Sequence, residues 1–235
     1  MCLLVFSGSP SLAQSADENF DHQTAEEVER ASKEIQRQFA DAKNPDSISL
    51  RLKRKILSQY QHLDPKNDVP KDLLENTILY FDLNKEKFDN HNYFSVVNYA
   101  ARSDQYRFFV INLISGAVEK FRTAHGLGSD ENDDGYATIF GNVNNSGKSS
   151  VGFARTAEVY SGRFNRAIRI DGLSPTNSNI RLRAIVVHGW DNVHERAEIQ
   201  GRSRGCPALD WTVKDGVIDK IQGESLLNMG FSILN

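Results

Sequence analysis

The second part of the chain is a series of short segments rich in aromatic and β-branched residues, separated by turns rich in glycine, asparagine, aspartate and serine. This sequence pattern predicts many short strands. The first three segments follow one another with only short turns between them, which predicts an antiparallel meander. Such a series predicts a mostly-β domain, either a sandwich or a barrel. The predicted strands span residues 93–100, 106–113, 117–123, 151–160, 167–170, 184–188, 208–212 and 226–234.

The N-terminal part has a different, helical pattern. Apolar residues recur at helical spacing from Ala25 to Phe39, and a second amphipathic run covers residues 48–60. A third helix is predicted over residues 70–83, after the break at Asp64–Asp68. We therefore expect a helical extension over residues 14–66 and the main domain over residues 67–235. The sequence leaves open whether the helices pack on the main domain or act as a spacer.

The first residues predict export. Residues 1–6 are mostly apolar, and Ser11 and Ala13 are small residues at the positions that a signal peptidase reads. We interpret residues 1–13 as a truncated signal peptide, so the protein is expected in the periplasm or cell envelope. A lipid anchor on Cys2 is the alternative. No segment predicts a transmembrane helix, and the net charge of -3 argues against a nucleic-acid partner. The sequence does not predict the oligomeric state.

Cys206 and His188 carry the clearest chemical signal. Apart from Cys2, Cys206 is the only cysteine, and it lies in a polar turn, Gly201–Pro207, that contains two arginines. His188 ends an apolar run 18 positions earlier. A thiolate is the reactive form of cysteine, so a cysteine enzyme needs a neighbour that takes or balances the proton. The alternative is that Cys206 is a small buried packing residue.

Six segments in order resemble the catalytic domain of the bacterial L,D-transpeptidases (YkuD-type), in the branch whose active-site turn reads Ser-x-Gly-Cys-Pro. The resemblance covers roughly residues 70 to 235. It implies an L,D-transpeptidase-like β-sandwich, here with an N-terminal α-helical extension, that acts outside the cytoplasm on peptidoglycan stem peptides. The segments are residues 106–113, 124–129, 148–153, 168–173, 184–189 and 201–208.

The resemblance implies acyl transfer through a Cys206 thioester. His188 takes the thiol proton or holds a thiolate–imidazolium pair, and Cys206 attacks the carbonyl of meso-diaminopimelate in a tetrapeptide stem, releasing D-Ala. The backbone N–H groups of Gly205 and Cys206 are expected to stabilise the oxyanion. Ser203 is expected to orient the turn. No cofactor is implied.

The turn also departs from the common family pattern. Arg204 stands where a second histidine is usual, and Ala208 where arginine or asparagine is usual. Arg202 or Arg204 is expected to lower the thiol pKa or to bind a substrate carboxylate. The other residues that we expect to bind substrate are His125, Gly189, Tyr160 and Ser149.

Two other functions remain open at this point. The same scaffold and thioester serve a peptidoglycan hydrolase, either an L,D-carboxypeptidase or an amidase/endopeptidase, if water replaces the amine. A non-catalytic wall-binding domain, or a zinc site formed by His125, His188 and Cys206, is the third reading. We expect no metal, since no closely spaced pair of ligands is present.

Overall fold

Seven strands form one mixed sheet in the computed structural model, which describes residues 23–233. The order across the sheet is β3-β2-β1-β7-β4-β5-β6. The prediction of a mostly-β fold is confirmed, with helices in the minority. The strands are β1 (Tyr93–Asn98), β2 (Phe108–Asn112), β3 (Val118–Phe121), β4 (Gly152–Gly162), β5 (Asn165–Gly172), β6 (Val186–Val187) and β7 (Leu226–Gly230); the α-helices are α1 (Ala25–Gln38), α2 (Leu50–Leu57), α3 (Lys71–Leu83) and α4 (Trp211–Ile221).

The predicted meander is present as β1, β2 and β3, which pair antiparallel in sequence order. Strand β7 lies at the centre of the sheet, parallel to β1 and antiparallel to β4. Strands β4 and β5 form a hairpin whose two-residue turn is Arg163-Phe164, with Asn165 at a φ of 53°. The short β6 pairs with β5 at the sheet edge. This edge carries the strand that leads into His188.

The sheet is buried on both faces, because successive side chains of a strand point to opposite sides. Val97 and Val110 pack in one core with α4, whereas Val96 and Phe109 pack in the other core with the N-terminal helices. Cys206 belongs to the α4 side. The candidate site therefore lies on the face of the sheet opposite the helical extension.

The helical extension packs on the sheet, which answers the question that the sequence left open. Helix α1 begins with a capping box between Thr24 and Glu27. Its buried Ile35 joins the same core as Phe94 of β1. A side-chain hydrogen bond of 2.6 Å from Gln36 Nε2 to the Gly172 carbonyl links α1 to β5 as well. The boundary after residue 66 stays a prediction, and the proposed signal peptide lies outside the described residues.

One predicted strand is wrong. Residues 208–212 contain a single bridge, between Leu209 and Gly189, and α4 begins at Trp211. Asp210 caps this helix by accepting a hydrogen bond from the Thr212 N–H at 2.8 Å. An aspartate side chain that satisfies a free helical N–H favours a helix start over a strand. No helix within residues 23–233 is long and apolar enough to cross a membrane.

Candidate active site

The turn that carries Cys206 is fixed by Ser203. The Ser203 hydroxyl donates to the Cys206 carbonyl at 2.8 Å and accepts from the Gly205 N–H at 3.0 Å. The Ser203 N–H donates to the His125 carbonyl at 2.7 Å, which ties the turn to the neighbouring segment. These hydrogen bonds allow Ser203 to orient the turn.

Gly205 occupies a conformation that an L side chain rarely adopts. Its φ is +122°, and a Cβ there would lie 2.7 Å from the Lys148 carbonyl oxygen. Behind the turn, the Ser149 hydroxyl donates to the Gly205 carbonyl at 3.3 Å and accepts from the Gly126 N–H at 3.0 Å. Ser149 therefore supports the turn from the protein interior, whereas the sequence placed it in the substrate groove.

The Cys206 thiol is only partly accessible, with 8% of the residue exposed. Its sulfur lies 3.9 Å from the Ala184 carbonyl oxygen. Burial raises the pKa of Cys206 to about 11, and the Val186 N–H and the positive charge of Arg183 offset only part of that effect. The side chain is therefore a neutral thiol at pH 7. The sequence assigned the pKa-lowering charge to Arg202 or Arg204, but it comes from Arg183.

His188 is held as a neutral base. Its Nδ1 is 2.8 Å from the Gly189 carbonyl oxygen, so Nδ1–H donates there and Nε2 keeps its lone pair. The ring stacks on Phe164, with 3.7 Å between the ring centroids. Burial lowers the pKa of His188 to about 4. Gly189 is needed for packing, since a Cβ there would lie 2.4 Å from the Trp211 ring.

Cys206 and His188 line the same cleft, which has a volume of about 310 Å³. No hydrogen bond joins their side chains among the described residues, as is common for catalytic pairs without substrate. The structure brings Ser203, Arg202 and Arg204 of the predicted site residues into this cleft as well. The remaining lining residues are Leu127, Arg163, Phe164, Arg183, Ala184, Ile185 and Trp190.

His125 lies outside the cleft and is 1% exposed. Arg107 donates to its Nδ1 at 2.9 Å, and its Nε2 is 3.1 Å from Asp130 Oδ2. Burial, followed by the charge of Arg107, lowers the pKa of His125 to about 4. Both ring nitrogens are thus engaged inside the protein, so His125 braces the segment that holds Ser203 and has no nitrogen left for substrate.

Tyr160 is also placed away from the cleft. It is buried in the core on the α4 side, with the Arg169 guanidinium 4.4 Å from its ring centroid. The predicted substrate residues thus separate into Arg202 and Arg204, which line the cleft, and His125, Gly189, Tyr160 and Ser149, which do not.

Phe164 is a cleft residue that the sequence did not single out, whereas Arg183 is a cleft candidate that the sequence also allowed to be an ordinary paired or exposed charge. Phe164 is at the tip of the β4–β5 hairpin, and only the fold brings it to His188. Arg183 precedes Ala184, a non-glycine residue with a φ of +52° whose carbonyl oxygen lies 3.9 Å from the Cys206 sulfur. No sequence pattern predicts that backbone conformation.

Within residues 23–233 no group of three or more His, Cys, Asp or Glu side chains is placed to hold a metal ion.

Comparisons with known proteins identify a family by sequence. The sequence profile of the L,D-transpeptidase catalytic domain matches residues 65–229. Among solved structures, an L,D-transpeptidase from Mycobacterium smegmatis is 13% identical over 59% of this chain and 58% of that chain, with a TM-score of 0.39. The helical cell shape determining protein Pgp2 from Campylobacter jejuni is 15% identical over 62% of this chain and 49% of that chain, with a TM-score of 0.37.

The chain therefore spans between about half and three fifths of the length of those two structures. A comparison with curated proteins gave no match. The profile match covers well over half of the 235 residues, and it includes both His188 and Cys206. The chain belongs to the family of L,D-transpeptidase catalytic domains.

Proposed function

We propose that this protein is a cysteine acyltransferase that acts on peptidoglycan stem peptides, with Cys206 as nucleophile and His188 as base. The observation that carries the proposal is that both side chains line one cleft, with the Cys206 turn fixed by Ser203. The family supports a peptidoglycan-related catalytic function. The proposed site of action is outside the cytoplasm, where this substrate lies.

The pKa directions favour general-base catalysis over a preformed ion pair. Burial raises the pKa of Cys206 to about 11 and lowers the pKa of His188 to about 4, so both groups are neutral at pH 7. In the proposed first step, His188 Nε2 takes the thiol proton as sulfur attacks the carbonyl carbon of the third stem residue. The tetrahedral intermediate then expels D-Ala, whose nitrogen takes the proton back from His188, and a thioester remains.

An amine of a second stem resolves the thioester in transfer. His188 Nε2 accepts the proton from the attacking nitrogen, a new amide forms, and the proton returns to the Cys206 sulfur as it leaves. Water follows the same path in hydrolysis and releases a carboxylic acid. The two reactions differ in the second nucleophile only, so the proposed mechanism covers both and a product assay separates them.

One of the two backbone N–H groups expected to stabilise the oxyanion is already engaged within the protein. The Gly205 N–H is committed to the Ser203 hydroxyl at 3.0 Å, so it is not available to an oxyanion. The Cys206 N–H has no acceptor within the described part of the chain. We propose that this N–H faces the developing negative charge, since a fixed donor at that position lowers the barrier.

The test uses disaccharide-tetrapeptide fragments of peptidoglycan and mass analysis of the products. The wild-type protein is expected to release D-Ala and to yield cross-linked dimers in transfer, or tripeptide stems in hydrolysis. Cys206→Ala should form neither product. Cys2→Ala is the matched control, because it removes the only other cysteine and should keep full activity. Release of D-Ala by Cys206→Ala at the wild-type rate contradicts the proposal.

A further inference from the structure

The cleft concentrates positive charge in a protein whose net charge is -3. Four arginines line it, and no aspartate or glutamate is among its lining residues in the described chain. A cleft lined by one sign of charge attracts ligands of the opposite sign. The arginines are Arg163, Arg183, Arg202 and Arg204.

The charge of Arg202 is already balanced within the protein. Its Nε is 2.9 Å from Asp133 Oδ1, and its Nη1 donates to the Asp130 carbonyl oxygen. A substrate carboxylate that binds Arg202 has to compete with Asp133. Arg202 is therefore not the principal anion-binding group.

Arg183 is half-buried, and every hydrogen-bond partner of its guanidinium among the described residues is a neutral oxygen. Nη1 donates to the Gly141 carbonyl at 2.8 Å and to the Ser150 hydroxyl at 2.6 Å. Nη2 donates to the Lys148 carbonyl at 2.5 Å and to the Ser146 hydroxyl at 3.3 Å. The guanidinium is thus fixed in place at the cleft wall, and no carboxylate of the described chain balances its charge.

Arg204 is the accessible counterpart of Arg183. It is exposed at the cleft, and its guanidinium has no hydrogen bond or ion pair with any described residue. A free guanidinium offers two parallel N–H groups that match the two oxygens of a carboxylate. Because Arg204 and the nucleophile line the same cleft, a carboxylate bound to Arg204 belongs to a substrate that is bound in the cleft of Cys206.

We infer that this cleft selects acyl donors that carry free carboxylates over the same donors carrying carboxamides, with Arg204 as the contacting group and Arg183 as a fixed charge in the cleft wall. The inference rests on the proposed function and specifies its substrate class: stem peptides whose side-chain and terminal carboxyl groups are not amidated. Loss of one charge-assisted hydrogen bond weakens binding about 10- to 100-fold.

The first test does not depend on peptidoglycan activity. Cys206 is alkylated at one fixed pH with iodoacetate, which is an anion, or with iodoacetamide, which is its neutral amide, and labelling is read at the Cys206 peptide by mass analysis. The ratio of the two rates cancels any change in the thiolate fraction. We expect the iodoacetate-to-iodoacetamide ratio to exceed that of a small-molecule thiol by about fivefold or more at low salt and to fall as salt is added.

Arg204→Gln and Arg183→Gln should each lower that ratio at least about threefold. Arg37→Gln is the matched control and should leave the ratio unchanged, because Arg37 is an exposed residue of α1, on the opposite side of the sheet, paired with Glu34. If Arg183→Gln loosens the segment that Arg183 holds, the ratio measured for Arg204→Gln alone tests the inference. Equal ratios in the wild type, Arg204→Gln and the small-molecule thiol overturn the inference.

The second test compares kcat/KM for a tetrapeptide stem and its carboxamide analogue. We expect the wild type to prefer the free acid about tenfold or more and Arg204→Gln to lose most of that preference through KM. Equal kcat/KM values for the two stems in the wild type overturn the selectivity. Absence of turnover with both stems refutes the proposed function instead, and the alkylation ratio then decides whether the cleft is an anion site.

Discussion

The pH dependence of Cys206 alkylation follows directly from the burial of the thiol. Burial raises the pKa of Cys206 to about 11 from the ordinary value of 9.0. At pH 7 the thiolate fraction is therefore about 10⁻⁴, whereas an ordinary thiol has about 1%. Because only the thiolate is alkylated, we expect iodoacetamide to react with Cys206 about a hundredfold more slowly at pH 7 than with an ordinary thiol.

The assay measures the rate of iodoacetamide labelling at the Cys206 peptide from pH 6 to pH 11. The logarithm of the rate should rise by about one per pH unit up to about pH 10, without a plateau near neutrality. Arg183→Gln should move the profile to higher pH, since the guanidinium favours the thiolate. A plateau at or below pH 8 refutes the conclusion that Cys206 and His188 are both neutral at pH 7. It would instead indicate a preformed thiolate–imidazolium pair.

Three further perturbations test the structure around the pair. Gly205→Ala places a Cβ 2.7 Å from a carbonyl oxygen at a φ of +122°, so urea denaturation should show a loss of about 1–3 kcal/mol and the acyl-transfer assay a larger loss of activity. Phe164→Ala uncovers the imidazole, so an NMR titration should show the pKa of His188 rising from about 4 towards its ordinary value of 6.5. Because folding lowers the pKa of His188 to about 4, the unfolded state binds the proton first, and the contribution of His188 alone should lower stability by up to about 3 kcal/mol as the pH drops from 6.5 to 4. Denaturation of His188→Gln across that range should show a smaller loss.

The strands, and the two residues proposed as the catalytic pair, can be identified in the sequence because both depend on local patterns. The meander follows from β-branched runs separated by turn residues, and β1 to β3 lie where those runs lie. Cys206 and His188 stand out by residue type and spacing. The start of α4 was missed because the short apolar run at Ala208–Leu209 resembles a strand, although Asp210 also carries a helix-capping signal.

The remaining features of the site depend on contacts between distant segments. Arg183 lines the cleft beside Ala184, whose carbonyl oxygen lies 3.9 Å from the Cys206 sulfur, and Phe164 reaches His188 through the β4–β5 hairpin. Engagement of both His125 nitrogens depends on Arg107, which is 18 positions away. Periodicity and turn chemistry describe neighbours along the chain, so they do not determine which of several arginines or histidines faces a cleft.

If catalysis passes through a thioester on Cys206, the mass of the intact protein reveals the covalent intermediate. Brief mixing of the protein with a tetrapeptide stem, followed by acid quench, should add the mass of one tripeptide acyl group and release one D-Ala for each adduct. Fragmentation should place the group on Cys206, and Cys206→Ala should show no adduct. An adduct on another residue, or release of D-Ala by Cys206→Ala at the wild-type rate, contradicts the account.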